Sequence, residues 1–479
     1  MKRFLFAVLA LFGSLLCATA EVRLPDIMSS NMVLQQQSDA TLWGYAEAGS
    51  KITIRPSWSK QVYTTQTSSE GEWMVKVATP KASNTPYTIS VQEDKTTPTV
   101  IENVLIGEVW FCSGQSNMFM PLKGYTSQPV EGGVDMILNS GENKTVRVAL
   151  ISKRAALTPQ EKVDGRWMEC NPLNAQLFSA TAYTFALQLN RVLDIPVGVI
   201  TCSWGGSHAA GWMPKELLNE LGYKDVDKHA ANEKRGNGRP MVMYNGMLHP
   251  LRHYTIKGFL WYQGCSDVKE YHNYARYQSA MVAHWRDLWG LGELPFYFVE
   301  IAPYDYAPRK EYKGYMLREQ QRLSLDMIPN SGMASTVDLL KPYETKVIHP
   351  SRKKEVGQRL AMLALQKTYK VPGIEGESPR FVGMEHRDNG EVVLSFTNCR
   401  GGFSTKGPVS GFVVAGEDRV FYPANVKILS QERKIALSCP EVKDIVAVRY
   451  LYDNVVFANL HNMWELPVLP FRTDDWEIE

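Results

Sequence analysis

The 479-residue chain is 44% hydrophobic and carries a formal net charge of +2, with its lysines and arginines scattered along its length. That much apolar sequence can bury one large core and a second, which suggests two or three domains of roughly 100–200 residues. The near-neutral balance excludes the basic footprint of a nucleic-acid binder or of a protein drawn to anionic membranes, and leaves a small molecule or glycan as the partner.

Residues 1–20 run Met1-Lys2-Arg3, an apolar stretch from Phe4 to Leu16, then Ala18-Thr19-Ala20. This is the order of a secretory signal peptide, so the chain is expected to be exported to the periplasm or the extracellular space, with Glu21 near the mature start. The apolar stretch is shorter than the roughly 20 residues of a membrane span, and no later segment reaches that length. Leu16 before Cys17 argues against a lipobox, which wants a small residue there. The other cysteines, Cys112, Cys170, Cys202, Cys265, Cys399 and Cys439, form no CxxC pair and no paired Cys/His spacing. No metal, no organic cofactor and no disulfide is therefore expected, and nothing sets an oligomeric state.

From about residue 40 to 105, Lys51–Arg55 and Trp73–Val77 alternate, Tyr87–Val91 follows, and turn residues fall between them. The pattern predicts a small antiparallel β domain over 21–105. From Val104 the texture changes to apolar strands alternating with helices. Strands are predicted at Val109-Trp110-Phe111, Val197–Ile200, Ile256–Tyr262 and Phe296–Ile301, and helices at Phe178–Leu193, Tyr274–Trp289 and Lys354–Gln366. Continuous apolar strands between helices indicate a parallel sheet covered on both faces, an α/β domain over 106–372. After Pro372, strands at Glu391–Phe396, Phe412–Ala415, Val426–Leu429 and Ile445–Tyr450 predict a second β region over 373–479.

Four segments carry chemistry. Gly114-Gln115-Ser116-Asn117-Met118 follows an apolar strand, and ligands of an open parallel sheet bind beyond the carboxyl ends of its strands. A serine there is a nucleophile once a base takes its proton, and neighbouring N–H groups can hold the oxyanion. Ser203-Trp204-Gly205-Gly206-Ser207 ends the next strand, with two glycines that let an N–H approach a reacting oxygen. Trp261-Tyr262-Gln263-Gly264-Cys265-Ser266-Asp267 ends a third, offering the Gln263 amide and the Asp267 carboxylate. Ile348-His349-Pro350 precedes the last predicted helix of the α/β region and places a base, His349, in a loop. Taken singly, each segment also reads as an ordinary turn.

Together these blocks resemble the sialate O-acetylesterase family of SGNH-type carbohydrate acetylesterases. In that family the serine lies in a GQSNM block, an oxyanion glycine in a WGG[ST] block, polar site groups in a WYQGES[ND] block and the base in a D-I-H-P block. Met32-Val33-Leu34-Gln35, Tyr244-Asn245-Gly246-Met247 and Phe471-Arg472-Thr473-Asp474 look like further landmarks, so the resemblance spans nearly the whole chain. It implies a three-layer SGNH-hydrolase-like α/β domain with accessory antiparallel β domains at both ends. It implies Ser116 as nucleophile and His349 as general base. The N–H groups of Ser116 and Gly206 would form the oxyanion hole with Gln263 as a third donor, and Asp267 and Asn245 would contact substrate.

Two departures stand out: Val347 occupies the place of the family's Asp, and Cys265 that of its Glu. An orienting carboxylate can matter by about 10⁴-fold in a triad. Glu344 is the nearby substitute, a backbone carbonyl making a Ser-His dyad is a second reading, and a weakened enzyme a third; Asp338 and Asp267 are further carboxylates. The substrate expected first is an O-acetylated sialic acid, for whose negative charge Arg252, Arg318 and Lys353 are available. The alternatives are an acetylesterase of plant cell-wall polysaccharide, acetyl xylan or xyloglucan, and a glycan-binding protein without activity.

Overall fold

The computed structural model describes residues 22–477, so the signal expected over 1–20 lies outside the described residues. The central sheet runs in the order Ser331–Ala334, Phe296–Val299, Gly258–Tyr262, Thr99–Gly114, Val197–Ser203, Val146–Ile151, Gly165–Glu169. Neighbours are parallel except for the last pair.

The strands read as apolar runs because both faces are buried. Trp110, Val199, Leu260, Tyr262 and Tyr297 point to one core, where helices Ala180–Leu193 and Lys353–Leu363 supply Phe185, Leu189, Val356 and Leu360. Phe111, Ile200, Phe259, Trp261 and Phe298 point to the other, against Met281, Trp285 and Trp289 of helix Tyr274–Trp289 and Leu317 of helix Gly314–Met327. Successive side chains of one strand thus enter different cores, as a two-residue period requires. The result is a three-layer α/β arrangement.

Most predicted elements lie within a few residues of their observed positions. The helix expected from Phe178 starts at Ala180, because the Ser179 hydroxyl accepts the Ala182 N–H at 3.1 Å and caps it. Helix Tyr274–Trp289 ends at Gly290 with φ +61°. Helix Gly314–Met327 has a mixed inward face, where Arg318, Gln321, Arg322 and Ser324 are buried beside Met316 and Leu317. Strand Ser331–Ala334 lacks branched residues, and Val146–Ile151 is interrupted by Arg147, whose guanidinium pairs with Glu169 at 3.1 Å.

The N-terminal strands share a member with the central sheet. Thr99–Gly114 is 16 residues long. Its first half pairs antiparallel with Ser83–Glu93 and parallel with Val33–Gln35, and its second half pairs with Val197–Ser203 and Gly258–Tyr262. At the other end of the chain, Arg380–His386, Val392–Thr397, Lys434–Ser438 and Asn425–Leu429 form one antiparallel sheet. Tyr422–Pro423, Phe412–Ala415, Ala447–Tyr450 and Phe471–Arg472 form a second. The two enclose a core of Val392, Leu394, Phe412, Ile435, Val448 and Phe471.

Gly114 ends the long strand at φ +136°, where a Cβ would lie 2.2 Å from the Tyr262 carbonyl oxygen. Gly114→Ala is therefore expected to lower stability by about 2–3 kcal/mol, read as a fall in thermal midpoint, because the clash is with backbone that cannot yield.

Candidate active site

Three of the four chemical segments leave the sheet at one level. The register sets Gly114 opposite Ser203 on one side and Tyr262 on the other. The loops are then stitched together: Trp204 N–H donates to Gly114 O at 3.1 Å and Gln115 N–H to Tyr262 O at 2.9 Å. Gly264 N–H donates to Gln115 Oε1 at 2.9 Å. Ser116 opens a short helix, Ser116–Phe119, just past the strand end.

Gly205 packs directly on the serine, and a Cβ added there would sit 3.2 Å from Ser116 Cβ. Gly206 follows at φ +74°, a conformation glycine adopts without strain, with the Asn237 amide alongside and donating to Gly205 O. The backbone N–H groups of Ser116 and Gly206 have no acceptor among the described residues. They remain available to a ligand oxygen.

The fourth segment comes to the same place from far along the chain. Asn117 Nδ2 donates to Ile348 O at 3.0 Å across 231 positions of sequence. Tyr125 spans both partners, its hydroxyl donating to Ser116 O at 2.9 Å and its ring meeting the His349 ring edge-on at 4.9 Å. Burial, aided by the Lys353 ammonium, pulls the His349 pKa down to about 4, so the imidazole is neutral at pH 7. Lys353 is itself buried, donates to Pro350 O at 2.5 Å, and is pulled down to about 7 by the same desolvation. Cys265 lies 4.0 Å from Asn117 Nδ2, and burial pushes its thiol up to about 11, so it too is uncharged.

Several assignments made from sequence are revised by these contacts. Glu344 does not reach His349: its two carboxylate oxygens accept the N–H groups of Lys341 at 3.2 Å and Ser351 at 3.0 Å, holding the loop in shape. Asp338 is clamped by both terminal nitrogens of Arg359, at 2.7 and 2.6 Å, and by His461 at 3.2 Å. Gln263 is no free oxyanion donor, because its buried amide nitrogen already serves Ser207 O at 3.0 Å and the Asp267 carboxylate. Asn245 donates to Ala156 O at 3.2 Å. It borders a cavity with Pro159, Tyr244, His249 and His284 that shares no lining residue with a second one, around His208.

Asp267 does line the latter, a cavity of about 320 Å³ with His208, Tyr223, Glu270, Tyr274 and Tyr277. Its carboxylate meets His208 Nδ1 at 3.2 Å and the Ala209 N–H at 3.2 Å. None of the cations considered for an anionic sugar is presented there. Arg318 is fully buried and donates to Asp453 O, and Lys353 is 1% exposed. Arg252 is bound to Glu161 at 2.7 Å and to His249. Tyr125, Gln128 and Asn237 had no assigned role in the sequence, yet all three touch the site segments. Among the described residues no group of three His, Cys, Asp or Glu side chains converges as metal ligands would.

Residues 106–366 match the family model described as carbohydrate esterase, sialic acid-specific acetylesterase. Two curated relatives named sialate O-acetylesterase, from Pongo abelii and Homo sapiens, are 28% and 27% identical over 393 residues, covering 74% of this chain and 73% of theirs. The crystal structure of a carbohydrate acetylesterase from Xanthomonas citri matches with a TM-score of 0.83 at 30% identity, over 95% of this chain and 100% of the other.

The part played by Glu344 is open to a direct check. Glu344→Gln removes a charged acceptor from two loop N–H groups, so stability is expected to fall by about 1–2 kcal/mol in thermal unfolding. Because Glu344 does not touch the imidazole, the acid limb of the pH-rate profile should stay where it is in the parent.

Proposed function

The chain belongs to the carbohydrate esterase family of sialic acid-specific acetylesterases, and from that premise we propose that Ser116 and His349 carry its ester hydrolysis. The activity is that of a carboxylic ester hydrolase removing O-acetyl groups from sugars. The observation that supports the two residues is the Tyr125 side chain, which contacts the Ser116 carbonyl and the His349 ring at once.

In this reading the Ser116 hydroxyl attacks the acetyl carbonyl while His349 Nε2 takes its proton. The oxyanion of the tetrahedral intermediate accepts hydrogen bonds from the Ser116 and Gly206 N–H groups. Collapse passes the proton from His349 to the departing sugar oxygen and leaves acetyl-Ser116. Water, deprotonated by the same imidazole, then releases acetate. The Ser116 hydroxyl makes no hydrogen bond among the described residues, and such contacts commonly close only with substrate in place. The low His349 pKa keeps the base form populated through neutral and mildly acidic solution.

For the sugar, the names of the family model and of the curated relatives support a sialic acid. A second reading, an acetylated neutral glycan such as xylan or xyloglucan, is favoured by the cavity lined by Asp267 of the third site segment and by His208, which follows the second. Its wall carries the carboxylates of Asp267 and Glu270 and three tyrosines, a surface suited to stacking an uncharged ring and unfavourable to a carboxylate. The order of charged, apolar and small residues over 1–20 supports an exported enzyme that meets its glycan outside the cytoplasm.

Ser116→Ala is expected to reduce acetate release by roughly 10³-fold or more with folding unchanged, and His349→Ala nearly as much. The assay is acetate release from 9-O-acetylated sialoside and from acetylated xylo-oligosaccharide. Release from one that vanishes in Ser116→Ala chooses the sugar; sugar binding without release from either is the outcome of a non-catalytic glycan binder.

A further inference from the structure

The imidazole of a catalytic histidine needs something to hold its tautomer, and in this chain the usual carboxylate is gone. Val347 replaces it in sequence, and Glu344, Asp338 and Asp267 are each engaged elsewhere. The group that meets His349 Nδ1 is the side-chain oxygen of Gln128, at 2.6 Å. An amide oxygen only accepts, so Nδ1 carries the proton and the Nε2 lone pair is left for the serine.

Gln128 is delivered by a hairpin shaped for the purpose. Tyr125 N–H donates to Gln128 O and Gln128 N–H to Tyr125 O, both at 3.0 Å. Ser127 sits at φ +58°, and at Gly124 a Cβ would come within 2.5 Å of Gln128 O. The same turn therefore places Tyr125 against both Ser116 and His349, and Gln128 behind the imidazole.

We infer that Gln128 is the positioning residue of His349, filling the place of the triad carboxylate with an uncharged acceptor. The inference rests on the Ser116–His349 reading and adds to it a distinct consequence for pH. A carboxylate fixes the tautomer and also stabilises the imidazolium; an amide does the first and far less of the second. The titratable and charged groups around the ring are Tyr125 on the hairpin and Lys353 on the following helix, with Cys265 beside Asn117 across the crevice. None of them supplies a negative charge at neutral pH, and Lys353 opposes protonation. The neutral base thus persists further into acid than it does beside a carboxylate.

The test is steady-state hydrolysis of 4-nitrophenyl acetate and of an acetylated oligosaccharide by the full chain and by Gln128→Ala, Gln128→Glu and Ser116→Ala. Gln128→Ala is expected to lower kcat by about 10- to 100-fold with KM within about two-fold, as loss of orientation without loss of a binding contact. Gln128→Glu, isosteric and so the safer fold, is expected to keep activity at alkaline pH and to move the acid limb of kcat/KM up by about one pH unit or more. Parent-like kcat in Gln128→Ala, or an acid limb in Gln128→Glu that superimposes on the parent's, would overturn the inference. If Ser116→Ala is silent in that case, only the role of Gln128 falls; if Ser116→Ala still turns over, the premise falls with it.

Discussion

Thr99–Gly114 is the element on which the rest of the structure depends. Its first half completes the N-terminal sheet, its second half is the middle of the α/β sheet, and from Val104 onward nearly every residue is buried. A one-residue slip would exchange Trp110 and Cys112 with Val109 and Phe111 between two cores of different shape, so the register is tightly specified by packing. That register is what brings Ser203, Gly114 and Tyr262 to the same height. The Ser116 turn, the Gly205-Gly206 turn and the Gln263 loop inherit their mutual positions from it.

The imidazole of His349 is held by different physics. His349 lies on no strand, and its loop is shaped by hydrogen bonds: Glu344 to two N–H groups, Asn117 to Ile348 O, and Lys353 to Pro350 O. The Tyr125–Gln128 hairpin closes over the ring from the other side. Apolar packing therefore positions Ser116 and the N–H groups of Ser116 and Gly206, while a polar network positions His349. Such networks are sensitive to single deletions, because each buried group left unpaired costs about 1–3 kcal/mol.

This division explains what was legible in the sequence. The parallel sheet, the predicted helices and the three strand-end segments showed themselves because apolar runs and glycine turns are local features. Helix Gly314–Met327 did not, since its buried face mixes polar side chains with Met316 and Leu317, and the partners of its arginines, Glu300 and the Asp453 carbonyl, are distant in sequence. The same is true of Gln128, whose contact with His349 crosses 221 positions. Glu344 shows the converse error: the carboxylate nearest the histidine in sequence is turned toward the loop's own backbone. Proximity along the chain ranked it first, and a demand for backbone acceptors set its actual task.

Buried arginines tie the two ends of the fold together. Arg359 joins Asp338, which His461 also meets, and donates to the Glu465 carbonyl; Arg472 joins Glu319 at 2.9 Å, and Arg318 reaches the Asp453 carbonyl, so these guanidinium groups fasten the C-terminal β region to the α/β core. Buried charged contacts of this kind gain little net stability over apolar packing but penalise any other docking, because an unpaired buried charge is severely unfavourable. The C-terminal region is in this sense integral to the enzyme. The same commitment removes those arginines from the crevice. The cavity around His208 is lined by Asp267, Glu270 and tyrosine rings, with His208 held by Asp267. Its wall offers aromatic faces and carboxylate acceptors.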